Sequence, residues 1–116
     1  MISIMSVPYG DGLTLRASGH ANYAPRGQDT VCAGVSVLLH AYLDYLRGLM
    51  PHSGADASVE YEEREGYMMI RSTGFNGRDL EGFEVVKQGL RRLQSAFPQH
   101  VLFMCHGSDA ETDSET

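Results

Sequence analysis

The spacing of apolar residues switches between a two-residue and a helical period along the chain, and each switch marks an element. Ile2 to Val7 is apolar and partly β-branched, and Leu13 to Ser18 alternates Leu, Thr, Leu, Arg. The turn signal "YGDG" at Tyr9 to Gly12 lies between them, which predicts a β-hairpin. Gly19 to Gln28 has no periodicity and reads as a loop. Asp29 is a good N-cap, and the helix it opens runs to about Leu49, with Pro51 beyond it as a stop. Val35, Leu38, Leu39, Tyr42, Leu46 and Leu49 keep helical spacing and are expected in the core.

After a loop at His52 to Asp56, Val59 and Tyr61 alternate with acids, "REG" at Arg64 to Gly66 is a turn, and Tyr67 to Ser72 completes a second hairpin. "TGFNGRD" is a loop whose last residue, Asp79, is expected to cap a second helix reaching about Phe97. Its buried side should carry Leu80, Phe83, Val86, Leu90 and Leu93, and Val101 to Met104 is a short final strand. The order ββαββαβ predicts an α/β protein of the two-layer α+β kind, a mixed sheet with two helices on one face, because that arrangement buries both apolar stripes.

A chain of 116 residues supports one hydrophobic core without metal or disulfide staples. Residues 1–106 are expected to form that single domain. The tail 107–116, "GSDAETDSET", has too little apolar content to fold and is expected to be disordered. Asp109, Glu111, Asp113 and Glu115 lie in it, so the formal charge of −6 leaves only about −2 on the body. Eight Arg and one Lys are scattered, with only Arg91 and Arg92 adjacent, which argues against direct nucleic-acid binding. No apolar run reaches the roughly 18 residues of a membrane span, and "MISI" lacks the order of a signal peptide. The expected location is the cytoplasm. In a reducing compartment Cys32 and Cys105 are expected to be thiols rather than a disulfide.

The stretch "GHANYAPRGQDTVCAGVS" sets His20 and Cys32 twelve residues apart. Such a pair can be a nucleophile with its base, two metal ligands, or two residues without chemistry. Counting from Asp29 puts Cys32 in the first helical turn, where unpaired N–H groups and the helix dipole favour a thiolate. The dipole supplies only about 0.3–1 kcal/mol, less than the roughly 1.4 kcal/mol of one pKa unit, so an ionised thiol near neutrality also needs a cation. His20, at the end of the strand feeding the loop, is the candidate.

"GHA" followed by "GQDTVCAGVS" resembles the signature of the ribosomal-processing cysteine protease family. The strong match covers about Gly19 to His40. Thr30, the loop "NYAPR" and the acidic tail depart from the family pattern. The resemblance implies a His20/Cys32 catalytic dyad, supporting positions at Asp29 and Ser36, and no cofactor. It also implies a homodimer of α/β subunits that removes a short N-terminal extension from a large-subunit ribosomal protein. Cleavage would follow a pair of aromatic residues, with Tyr23, Tyr42 and Phe75 as candidate walls of the cleft. In such a mechanism N–H groups at the helix start, including that of Cys32, are expected oxyanion donors. Asp29 either caps the helix alone or also orients the imidazole, and Ser36 is expected to bond a preceding carbonyl.

Two other readings stand beside this one. A metal site would draw on His20, Cys32, Cys105 and His106, although no C-x-x-C or H-x-x-x-H spacing supports it. A non-enzymatic, ribosome-associated adaptor would use the acidic strand "VEYEERE". Cys105 is expected to be inert, and His40, His52 and His100 to face solvent. The glycine-flanked loop Gly19 to Gly27 is expected to be mobile without substrate.

Overall fold

In a computed structural model, described here for residues 1–25 and 27–106, the chain forms five strands and two long helices in the order ββαββαβ. The strands are β1 (Ile2–Tyr9), β2 (Gly12–Gly19), β3 (Ser58–Arg64), β4 (Tyr67–Thr73) and β5 (Val101–Cys105). The helices are α1 (Thr30–Leu49) and α2 (Arg78–Ala96), with a short 3₁₀ turn, Met50–His52, after α1. The strand order is β3-β4-β2-β1-β5, and only the β1/β5 pair is parallel. The fold is the mixed-sheet α+β class expected from the pattern. The acidic tail falls outside the described residues.

Alternation places Ile2 and Ile4 of β1, Leu13 and Leu15 of β2, Met68 and Ile70 of β4, and Val101 and Phe103 of β5 in one core with both helices. α1 starts where Asp29 accepts from the N–H groups of Val31 and Cys32. Its buried stripe includes Val31, Val35, Leu39, Tyr42, Leu43, Leu46 and Leu49. Leu38 is only partly buried, because it packs toward α2 rather than the sheet. A Cβ on Gly89 would come within 2.8 Å of Leu38, and one on Gly82 within 2.2 Å of the Tyr45 ring. Glycine costs a helix about 1 kcal/mol relative to alanine. Here it allows two α1 side chains to lie against the α2 backbone.

Asp79 does not cap α2. The cap is Gly77, at φ 86° and without a side-chain bond, and the helix begins one residue before Asp79. The Asp79 side chain turns inward instead and is completely buried. It accepts from Ser72 Oγ at 2.7 Å and from the Leu80 N–H at 2.9 Å. This rotates the helix so that Phe83, Val86, Lys87 and Leu90 face the core, while Leu80 is left 39% exposed. A buried polar group deprived of its partner costs about 1–3 kcal/mol. Ser72→Ala is therefore expected to lower stability by about that amount, read as a lower urea midpoint with an unchanged slope.

β3 is an edge strand on which Glu60, Glu62, Glu63 and Arg64 are all exposed. Charge along an open edge discourages pairing with other chains. Among the described residues, no helix is long and apolar enough to cross a membrane.

Candidate active site

The site is built at the end of the sheet where β2 stops and β1 starts. Gly19 pairs with Ile2, and a Cβ on Gly19 would lie 2.5 Å from the carbonyl oxygen of Met1, so the strand end admits only glycine there. The chain then turns through His20 and the buried Ala21 and reaches α1 at Asp29.

Asp29 organises this connection. Its Oδ1 accepts from Val31 N at 3.0 Å and Cys32 N at 2.9 Å, the helix cap. Its Oδ2 accepts from Tyr23 N at 2.9 Å and Ala24 N at 3.4 Å, back in the loop. One carboxylate therefore joins the helix start to the loop carrying His20. Burial pushes its pKa up, but the backbone N–H groups of Cys32, Tyr23, Ala24 and Val31 outweigh burial and hold it below the ordinary value. No hydrogen bond joins Asp29 to His20 among the described residues. Capping and loop clamping, rather than orientation of the imidazole, are what its geometry provides.

A second tie comes from His100, whose Nδ1 lies 2.8 Å from the Ala21 carbonyl oxygen. The Tyr23 ring meets Phe97 edge-on at 5.2 Å and His100 at 5.4 Å. His100 is thus part of the site's support and not a solvent-facing residue, because the parallel β1/β5 pairing brings it beside Ile2, whose N–H it accepts at 2.9 Å.

Cys32 and His20 both line two adjoining clefts. One, of about 570 Å³, also includes Asn22, Ala24, Asp29, Ser36 and Glu65. The other, of about 190 Å³, continues between α1 and the β3/β4 hairpin past Leu39, Glu63 and Tyr67. Ser36 is common to both, one turn along α1 from Cys32. The Cys32 thiol accepts from the Ala21 N–H at 3.4 Å and makes no hydrogen bond to His20. The His20 ring lies against the β3/β4 turn, where a Cβ on Gly66 would approach its Nε2 to 3.0 Å. "REG" thus has a second role beyond making the turn: its glycine leaves room for the imidazole.

Several expectations are corrected at this point. The Cys32 N–H is committed to Asp29, so in this arrangement it has no hydrogen to offer an oxyanion. Ser36 Oγ meets His40 Nδ1 at 3.2 Å and makes no bond to a preceding carbonyl. His40 is half-buried between Ser36 and Glu63. Tyr42 and Phe75 are buried in the core, at 1% and 2% exposure, and Tyr23 turns toward Phe97 and His100. The aromatic ring that lines the smaller cleft is Tyr67. Cys105 and His106 line a separate cavity with Ser6 and Lys87, so the four residues of the metal reading are not assembled.

Residues 1–102 match the family model described as cysteine protease Prp. The chain belongs to this family of cysteine proteases. Prp membership agrees with a curated relative, the ribosomal processing cysteine protease Prp of Mycoplasma pneumoniae, 33% identical over 89 residues that span 77% of this chain and 83% of the relative. The fold is that of the ribosomal processing protease Prp from S. aureus, solved with a covalently linked product peptide. The TM-score is 0.76 at 20% identity, over 91% of this chain and all of that one. A second S. aureus Prp structure, with a substrate peptide, gives a TM-score of 0.71 at 19% identity and the same coverage. SMU.848 from Streptococcus mutans superposes with a TM-score of 0.61 at 25% identity, over 91% of this chain and 96% of its own. Prp membership makes the protein a cysteine protease, and Cys32 and Cys105 are its two cysteines.

Proposed function

We propose that this protease removes a short N-terminal extension from a large-subunit ribosomal protein, with Cys32 as nucleophile and His20 as its acid–base partner. The observation that carries the reading is that Cys32, in the first turn of α1, shares both clefts with His20. Cys105 lies outside both clefts, in a separate cavity with His106, and is not at the start of a helix. The family and the name of the M. pneumoniae relative support the ribosomal substrate. A cytoplasmic homodimer is part of the same proposal.

The chemistry follows from the groups present. The carboxylate of Asp29 already meets the positive end of α1, so the dipole has less to offer a thiolate and the imidazole must supply the charge. His20 takes the thiol proton, and the Cys32 sulfur attacks the scissile carbonyl, forming the S–C bond of a tetrahedral adduct. As the adduct collapses the C–N bond breaks, and His20 returns the proton to the departing amine. Water, with His20 again as base, then hydrolyses the thioester and restores the thiol. Substrate must bring His20 and Cys32 into direct contact. Catalytic hydrogen bonds commonly tighten only when substrate binds.

The pair of adjoining clefts beside Cys32 suits an extended peptide, with the partly exposed Tyr67 ring offering apolar surface to an aromatic side chain. The test is incubation of the full chain with the host's own precursor of that ribosomal protein, followed by intact-mass analysis. A single cut within the extension, abolished by Cys32→Ala, is the expected result. An uncut precursor would overturn the substrate assignment, and a cut that survives Cys32→Ala would overturn the nucleophile.

A further inference from the structure

His40 has both ring nitrogens engaged. Nδ1 lies 2.8 Å from the Ser36 carbonyl oxygen and 3.2 Å from Ser36 Oγ, and Nε2 lies 3.2 Å from Glu63 Oε1. A carbonyl and a carboxylate only accept hydrogen bonds, so each nitrogen must carry a hydrogen for the arrangement to hold. With Nδ1–H directed at Ser36, the hydroxyl oxygen is the acceptor in that contact, and its own hydrogen is left over. Ser36 lines both clefts with Cys32, so that hydrogen has the cleft to point into. A hydroxyl that accepts from a cation is also a better donor, through polarisation along the chain of bonds.

We propose that His40 is a positioning residue of the protease: clamped between α1 and β3, it sets the Ser36 hydroxyl as a donor to a substrate carbonyl, and the clamp is complete only while its ring carries both protons. This rests on the reading that peptide occupies the Cys32 clefts. The proposal also answers a need of the site, because the Cys32 and Val31 N–H groups are already taken by Asp29. The charged groups facing His40 are Glu63 from β3 and Asp44 one turn further along its own helix, both acidic. The Ser36 carbonyl raises its pKa above the ordinary histidine value; burial opposes this, and Glu63 and Asp44 add to the rise. A raised folded value means the clamp is complete below the unfolded pKa of about 6.5 and is lost as pH rises through the higher folded value.

The test is a double-mutant cycle on peptide hydrolysis by the full chain between about pH 6 and 9, where histidines titrate. The probe is a fluorogenic peptide carrying two adjacent aromatic residues followed by a small one. His40→Phe and Ser36→Ala are each expected to lower kcat/KM by about 2–10-fold at the acid end, the range for loss of one hydrogen bond. The double variant should lose no more than either single one. Glu63→Gln should shift the alkaline decline of the wild type to lower pH. Losses that multiply in the double variant, or an alkaline decline unchanged in both His40→Phe and Glu63→Gln, would overturn the proposal. A wild-type chain that cuts no peptide overturns the reading of the site, and nuclear magnetic resonance titration of the His40 ring then decides the clamp. A value raised in the wild type and falling in both Ser36→Ala and Glu63→Gln supports it, and a ring that titrates like a free histidine refutes it.

Discussion

His20→Ala is expected to lower kcat/KM by about 10²–10⁴-fold, the usual contribution of a positioned acid–base group, while leaving the melting temperature unchanged. The side chain is exposed, and no hydrogen bond ties it down among the described residues, so the core loses nothing with it. Its contacts are with the Gly66 turn and the walls of the clefts. The variant should also lose the preferential labelling of Cys32 over Cys105 by iodoacetamide at mildly acidic pH, because the cation that favours the thiolate is gone. Both thiols are only partly exposed, so the reading is the change in their relative rates between wild type and variant. A variant that cleaves at near wild-type rate would mean that another group is the base. That group would not be His40, whose ring nitrogens are both committed to acceptors.

Asp29 should give the larger effect on folding. Asp29→Ala removes the acceptor of four backbone N–H groups at once, two at the start of α1 and two in the loop. Loss of an N-cap alone costs about 0.5–2 kcal/mol, and losing a charged acceptor in the loop adds about 1.5–3 kcal/mol. Activity should fall with stability, because the loop that Asp29 clamps is the one carrying His20. Asp29→Asn separates the two roles. Its single amide oxygen can serve the cap or the loop, but its NH₂ group meets only donors on the other side. Asn is itself a good N-cap, so most of the helix stability should remain while turnover drops. The pH dependence has a definite sign. The folded pKa of Asp29 is depressed, so its stabilisation is fully present above the unfolded value of about 3.9 and is lost as pH falls through the lower folded value. Acid unfolding of Asp29→Asn should accordingly be less steep than that of the wild type. Equal acid limbs in urea-midpoint measurements would show that another carboxylate governs this transition.

In the connection between β2 and α1, Ala21, Tyr23 and Ala24 are tied by His100, Asp29 and Phe97. Amide hydrogen exchange of this loop with and without peptide will show whether it opens on the way to cleavage.

Local pattern was enough to place the five strands and the two long helices, because a two-residue or helical period over five to twenty residues and a turn signal between them are properties of neighbouring residues alone. The Asp29 cap was legible for the same reason: its partners Val31 and Cys32 lie within three residues of it. So was the candidacy of His20 and Cys32, since a short loop between a strand end and a helix start keeps its two ends close. What could not be read locally depends on residues far apart in sequence. The parallel pairing of β5 with β1 puts His100 under the loop, the β3/β4 turn puts Gly66 against His20, and the α1/β3 approach joins His40 to Glu63. Asp79 shows the converse. A capping residue by local criteria, it is drawn into the core, where it meets Ser72, and Tyr42, which helical spacing alone places in the core, donates from Oη to the Asp79 carbonyl oxygen. The sequence by itself determined the elements and the shared core and made Cys32 and His20 candidates, because short-range periodicity and chain connectivity are sufficient for that. Only the tertiary structure decided which polar groups support the pair and which N–H groups stay available to substrate, because a hydrogen-bonding group takes whichever partner packing brings to it.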